Sequence, residues 1–237
     1  MKYVAMDFET ANASPVSACA IGISVFEDNV LLHSNTYLIR PPKEHGTFHW
    51  YNTKVHGIRR SMVTDAPTFD ELWPVLCHDI EGSVLVCHNA MFDTAVLCKT
   101  LTHYGLPLPN CRYICTVKVS QKVWQNMENH KLDTVSAALG IALNHHEAGS
   151  DALACGMILQ AALHQLECAD ADALADKIGM RLGSISLHGS VSCSTAQEIA
   201  RQKARSTDST VRRRRRPPVM SPNYEEIVQR SVTHEKL

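Results

Sequence analysis

Apolar positions mark out the elements before any chemistry is considered. Residues 2–9 are a short apolar run, as in a strand buried on both sides. "ACAIGISVFE" (18–27) and "VLLHSNTYLIR" (30–40) read as two further strands, joined at an Asp28-Asn29 turn. Sequential strands on short links predict an antiparallel meander, which Pro41-Pro42 ends. "TFDELWPVLCHDI" has helical spacing, opened by a Thr68–Glu71 capping box and strained in its middle by Pro74. A short strand over 83–89, an amphipathic helix over 92–105 that ends in Gly105, and the strand "YICT" follow. Helices are expected around 117–125 and 131–139, the second closed by Gly140, and a long apolar helix over 151–166. A meander followed by alternating helix and strand implies an α/β fold with a mixed sheet and helices on its faces.

Charge adds a boundary. The 237 residues carry a formal net charge of −1. That balance conceals an acidic body, with 12 Lys/Arg against 19 Asp/Glu in residues 1–180, and a basic end, with 11 against 5 in residues 181–237. From about 184, Ser, Thr and Arg dominate, ending in "VRRRRRPP". We therefore expect a folded domain over 1–183 and a basic, disordered tail over 184–237, with one short helix near 195–205. The run Arg212 to Arg216 suits phosphates bound without sequence preference, or a targeting signal. No apolar run is long enough to span a bilayer, so no membrane partner is expected, and the chain enters its first strand without a leader pattern. Nine cysteines without zinc-finger spacing fit reduced thiols and a cytoplasmic location.

The candidate chemistry begins in "VAMDFET" (4–10). Residues i and i+2 of a strand share a face, so Asp7 and Glu9 point the same way. Two carboxylates this close repel, more so when buried, and a cation between them would relieve it. "LVCHNAMFD" brings a strand out of the core and puts Asp93 at a helix start. "HHEAGSDALA" brings His146 in a loop and Asp151 at the start of the long helix. Singly, Asp93 and Asp151 could be acids favoured by helix N-termini, and His146 one histidine among 13.

In order, D-x-E-T, H-N-A-x-F-D and H-x-x-x-x-D before an apolar helix resemble the DEDDh (DnaQ-like) family of 3'-5' exonucleases, which includes bacterial proofreading subunits. The likeness covers roughly residues 1–166, with "VHGI" (55–58) also similar to family segments. It implies the ribonuclease-H-like sheet. It implies that Asp7, Glu9, Asp93 and Asp151 hold two Mg²⁺ (or Mn²⁺), and that His146 is the general base. It implies Thr10, His56, Asn89 and Phe92 as contacts to the 3'-terminal nucleotide. DNA 3' ends are the substrate it suggests first, with a polymerase or another replication or repair protein as partner. RNA 3' ends, or a catalytically silent nucleic-acid-binding module of the same fold, stay open. The family usually carries a larger residue where this chain has Gly149, which would loosen the loop holding His146.

Overall fold

The computed structural model describes residues 2–201 and residue 204. Residues 1–196 form one compact unit. Its strands are β1 (Lys2–Thr10), β2 (Ala18–Glu27), β3 (Val30–Leu38), β4 (Val84–Cys87), β5 (Cys111–Cys115), β6 (Met180–Arg181), β7 (Gly183–Ser186), β8 (Gly189–Val191) and β9 (Ser194–Thr195). Its helices are α1 (Trp50–His56), α2 (Phe69–Ile80), α3 (Ala90–His103), α4 (Thr116–Val123), α5 (Leu132–Leu139), α6 (Ala148–Gln165) and α7 (Ala171–Lys177).

Among the described residues the main sheet is ordered β3-β2-β1-β4-β5-β7-β8. β1, β2 and β3 form the antiparallel meander, and β4 and β5 run parallel to β1. β7 and β8 complete that side antiparallel. This is the ribonuclease-H-like mixed sheet expected of the family. β1 sits inside the sheet, which explains its apolar composition: Tyr3 to Met6 are fully buried, as is Phe8 at 2% exposure.

Two glycines set how close α6 comes to the meander. A Cβ at Gly22 would overlap the Ala148 carbonyl, and one at Gly156 would overlap the Phe26 ring. In α2 the Thr68 amide donates to Glu71 Oε2 at 2.8 Å, closing the capping box, and Pro74 is accommodated inside the helix on an exposed position.

The boundary is the main departure from the sequence reading. The position expected to open the tail, 184, lies inside β7, and the compact unit runs on to Ala196. Ser184–Ile185–Ser186 is a short alternating strand in which Ile185 is buried opposite Cys111. Gly183 faces Tyr113 where a Cβ would overlap the ring. Serine and glycine here serve sheet packing, which composition alone reads as loop. Residues 196–201 and residue 204 are helical, in the region where one short helix was expected. The remainder of the tail, including Arg212 to Arg216, lies outside the described residues.

Candidate active site

β1 outruns its parallel neighbour. Its pairing with β4 covers Tyr3, Val4 and Ala5, and then β4 ends and the chain turns into α3. Beyond that point the β4-facing side of β1 has backbone groups without a ladder. Asp93, in the first turn of α3, fills the gap, and its Oδ1 accepts the Phe8 amide at 3.1 Å. Its Oδ2 is buried and has no hydrogen-bond partner among the described residues. Asn89 makes this delivery possible. It adopts a left-handed conformation (φ 70°) immediately before the helix, which an asparagine tolerates better than most residues.

Asp7 and Glu9 share one face of β1, with Phe8 buried between them. Asp151 reaches them from the first turn of α6, so Asp7, Glu9 and Asp151 each offer a ligand atom within 4.8 Å of the others. The start of α6 is held by Glu147. Its side chain accepts the Gly149 and Ser150 amides, at 3.2 and 2.8 Å, and the Thr36 hydroxyl of β3 at 2.7 Å. A Cβ on Gly149 would overlap the Thr36 hydroxyl. The glycine therefore tightens the start of α6 against β3, where the sequence suggested a loosened loop.

Burial raises the pKa of all four acids. Asp7 stands well above the carboxylate range, first through burial and then through Asp93 and Glu9. Glu9 is pushed up to about 8 by burial and then by Asp151 and Asp93. Asp93 is pushed up to about 7 by burial, against the opposing pull of the Phe8 amide. Asp151 is raised by burial, offset in part by the His146 amide and by His145. Such a cluster favours either protons or cations.

The two histidines before α6 are placed differently. His146 has a left-handed backbone (φ 69°), and its amide donates to Asp151 Oδ2 at 3.0 Å. His145 Nδ1 lies 3.2 Å from the same oxygen, and the two rings stack with centroids 3.8 Å apart. Burial and neighbouring His145 lower the His146 pKa. The H-x-x-x-x-D spacing selects His146, and the contact of His145 with Asp151 is absent from the sequence reading, because motif spacing carries no information on a neighbour's side-chain contacts.

Asp7, Glu9, Asp151, both histidines and Asn89 line a cavity of about 500 Å³, together with His88, Gln121, His130 and Lys131. None of these last four was given a role from sequence, although His88 is the first residue of the H-N-A-x-F-D motif. They come from the β4–α3 corner, from α4 and from the segment before α5. His88 is fixed by Thr116 and the His130 carbonyl, and burial drops its pKa to about 4. Of the other sequence candidates, Thr10 is buried, and its carbonyl accepts from Asn52 (2.9 Å) and lies 3.2 Å from His56 Nε2. His56 Nδ1 accepts the Ile58 amide at 3.0 Å, which leaves Nε2 as the protonated nitrogen facing Thr10. His56 lines a neighbouring cavity shared with His145 and His146. Phe92 is 43% exposed on the first turn of α3 and is not among the residues lining either cavity.

Two observations test whether divalent metals fit here. The donor set is oxygen-rich, as Mg²⁺ and Mn²⁺ prefer. The orphaned Asp93 oxygen is a buried acceptor for which the described protein supplies no donor. Both fit.

Comparison with known proteins follows the same line. A family model described as "Exonuclease" (RNase T) matches residues 4–159. DNA polymerase III PolC-type of Caldanaerobacter subterraneus subsp. tengcongensis is 30% identical over 169 residues, covering 70% of this chain and 12% of the relative. The 3'-5' exonuclease DinG of Bacillus subtilis is 28% identical over 169 residues, covering 70% of this chain and 18% of the relative. The chain thus spans less than a fifth of the length of either. In fold it is similar to Exonuclease X in complex with 5' overhanging duplex DNA, with a TM-score of 0.60, 21% identity, and 75% of this chain and 99% of that one covered. It is also similar to the nuclease domain of 3'hExo bound to rAMP, with a TM-score of 0.59, 15% identity, and 71% and 94% covered. With its carboxylates gathered at the end of β1 and the family model matching most of the compact unit, the chain belongs to the DEDDh (DnaQ-like) exonuclease family.

Proposed function

We propose that this chain removes nucleotides from nucleic-acid 3' ends by phosphodiester hydrolysis, acting on DNA with two divalent metals. The observation that carries the reading is the convergence of Asp7, Glu9 and Asp151 beside a buried Asp93 oxygen that has no partner. Asp7, Glu9, Asp93 and Asp151 would hold Mg²⁺ or Mn²⁺. Bound there, such ions supply an activated water and stabilise the leaving oxygen of an in-line displacement. His146 takes the proton from the attacking water. Its lowered pKa keeps the imidazole neutral, and so able to accept that proton, at neutral pH. His145 braces Asp151 and the His146 ring. Asn89 faces the terminal nucleotide from the cavity wall. His56, tied to the Thr10 carbonyl, lines the adjoining cavity, and Phe92 offers an exposed ring on the first turn of α3 as a further contact.

A replicative or repair polymerase is the partner we favour, because the sequence relatives include DNA polymerase III PolC-type proteins. A cytoplasmic location accords with nine free cysteines, and no described helix is long and apolar enough to cross a membrane. RNA is the second substrate reading, supported by a fold neighbour solved with rAMP. The test is digestion of 5'-labelled single-stranded DNA and RNA in Mg²⁺ and in EDTA. A Mg²⁺-dependent ladder shortening from the 3' end of DNA is expected. A ladder on RNA alone would move the assignment to RNA, and no ladder on either would remove the enzymatic reading.

A further inference from the structure

Away from the carboxylate centre, Glu44, His45 and His103 come together at the surface. Glu44 and His45 lie in a short 3-10 turn, Lys43–His45, and His103 ends α3. One ligand atom from each lies within 4.8 Å of the other two. Glu44 Oε1 is 3.3 Å from His103 Nε2, and the His45 and His103 rings meet edge to face with centroids 5.4 Å apart.

A second observation concerns how His45 is held. Its Nδ1 lies 3.1 Å from the Ser14 hydroxyl, and its carbonyl accepts the Asn12 side-chain amide at 2.8 Å. The ring is thus oriented from one nitrogen, which leaves Nε2 to bind. Fixing an imidazole through its far nitrogen is what the outer shell of a metal site does for its ligands. At zinc bond lengths of about 2.0–2.1 Å, tetrahedral neighbours stand about 3.3 Å apart, which is the separation of Glu44 Oε1 from His103 Nε2.

We propose that Glu44, His45 and His103 form a zinc site independent of the active centre. Two imidazoles, one carboxylate and a water complete a four-coordinate zinc, a donor set that magnesium does not favour. The ion would tie the turn preceding α1 to the C-terminal end of α3. α1 carries Asn52 and His56, which hold the Thr10 carbonyl, and α3 carries Asp93 in its first turn. Zinc would therefore brace two elements that reach the active centre without touching it.

The experiment is equilibrium dialysis of the full chain against Zn²⁺ in saturating Mg²⁺, with bound zinc counted by elemental analysis. Wild type is compared with His103→Gln, with His45→Gln/His103→Gln, and with the active-centre variant Asp7→Asn. We expect the double variant to bind one zinc fewer per chain and Asp7→Asn to keep that zinc. Co²⁺-loaded wild type should show tetrahedral d–d absorption that the double variant lacks. The His103 side chain is 26% exposed and His45 is half-buried, so the variants should fold, which circular dichroism checks. Equal zinc content in wild type and a folded double variant would overturn the site. A zinc lost in Asp7→Asn but kept in the double variant would overturn it too, by placing the ion in the active centre. Neither result depends on nuclease activity.

Discussion

Asp93 divides its two oxygens between roles, with one bonded to the Phe8 amide and the other buried without a partner. Asp7 faces the same difficulty from charge, since burial, Asp93 and Glu9 all oppose its ionisation. Asp7→Asn should therefore abolish cleavage while leaving the metal-free protein as stable or more so, because a repelled charge is removed. Activity assays beside melting curves in EDTA would check both halves, and near-normal turnover at saturating Mg²⁺ would sink the ligand role. His146→Ala should cut turnover about 10²- to 10⁴-fold, the usual size of a general-base contribution. His145→Ala should cost less in rate and instead raise the Mg²⁺ concentration for half-maximal activity, since His145 touches Asp151. If His145→Ala proves the costlier in turnover at saturating metal, the two histidines have exchanged roles. At this scale much was legible. Acids interrupting an apolar strand and heading helices stand out against their surroundings. The lining residues Gln121, His130 and Lys131 did not, since each is ordinary in its own segment and only the fold assembles them.

At the scale of elements, the closeness of α6 to β2 decides whether Asp151 meets Asp7. Gly22 pairs with Asp7 across the ladder and lies where a Cβ would overlap the Ala148 carbonyl. A backbone oxygen cannot swing aside as a side-chain tip can. Gly22→Ala should cost about 1–3 kcal/mol of stability, the range for overpacking, and should displace Asp151 enough to reduce activity as well. Denaturant unfolding and turnover would report the two effects, and wild-type values for both would refute the packing role. The long helix was legible from its apolar run, but its first turn was not. α6 begins at Ala148 because Glu147 caps it with help from Thr36, 111 positions earlier. α1 escaped because its seven residues bury none of their side chains and so show no apolar period. β7 escaped because its serines and glycine read as loop.

For the whole molecule, the four raised carboxyl groups make stability depend on pH and metal together. In the unfolded chain these acids lose their protons in the ordinary carboxylate range, whereas folded Asp93 and Glu9 hold them to about 7 and about 8. Between those limits the native state binds more protons, so stability falls as pH rises through that window. We expect the melting temperature in EDTA to drop from pH 5 to pH 8, and Mn²⁺ to abolish most of the drop by binding only the native form. Parallel melting curves with and without Mn²⁺ across this range would contradict the metal reading.

β1 outrunning β4 has a consequence for how the protein comes into being. The notch it leaves is filled from α3, and the acid cluster is completed only by α6, so its carboxylates come from positions 7 to 151 of the chain. Contacts of such wide sequence separation form late in folding. Metal should therefore slow unfolding far more than it speeds folding, since the transition state lacks the assembled site. During synthesis the same order means that a growing chain holds no competent centre until residue 151 has emerged and α6 has docked.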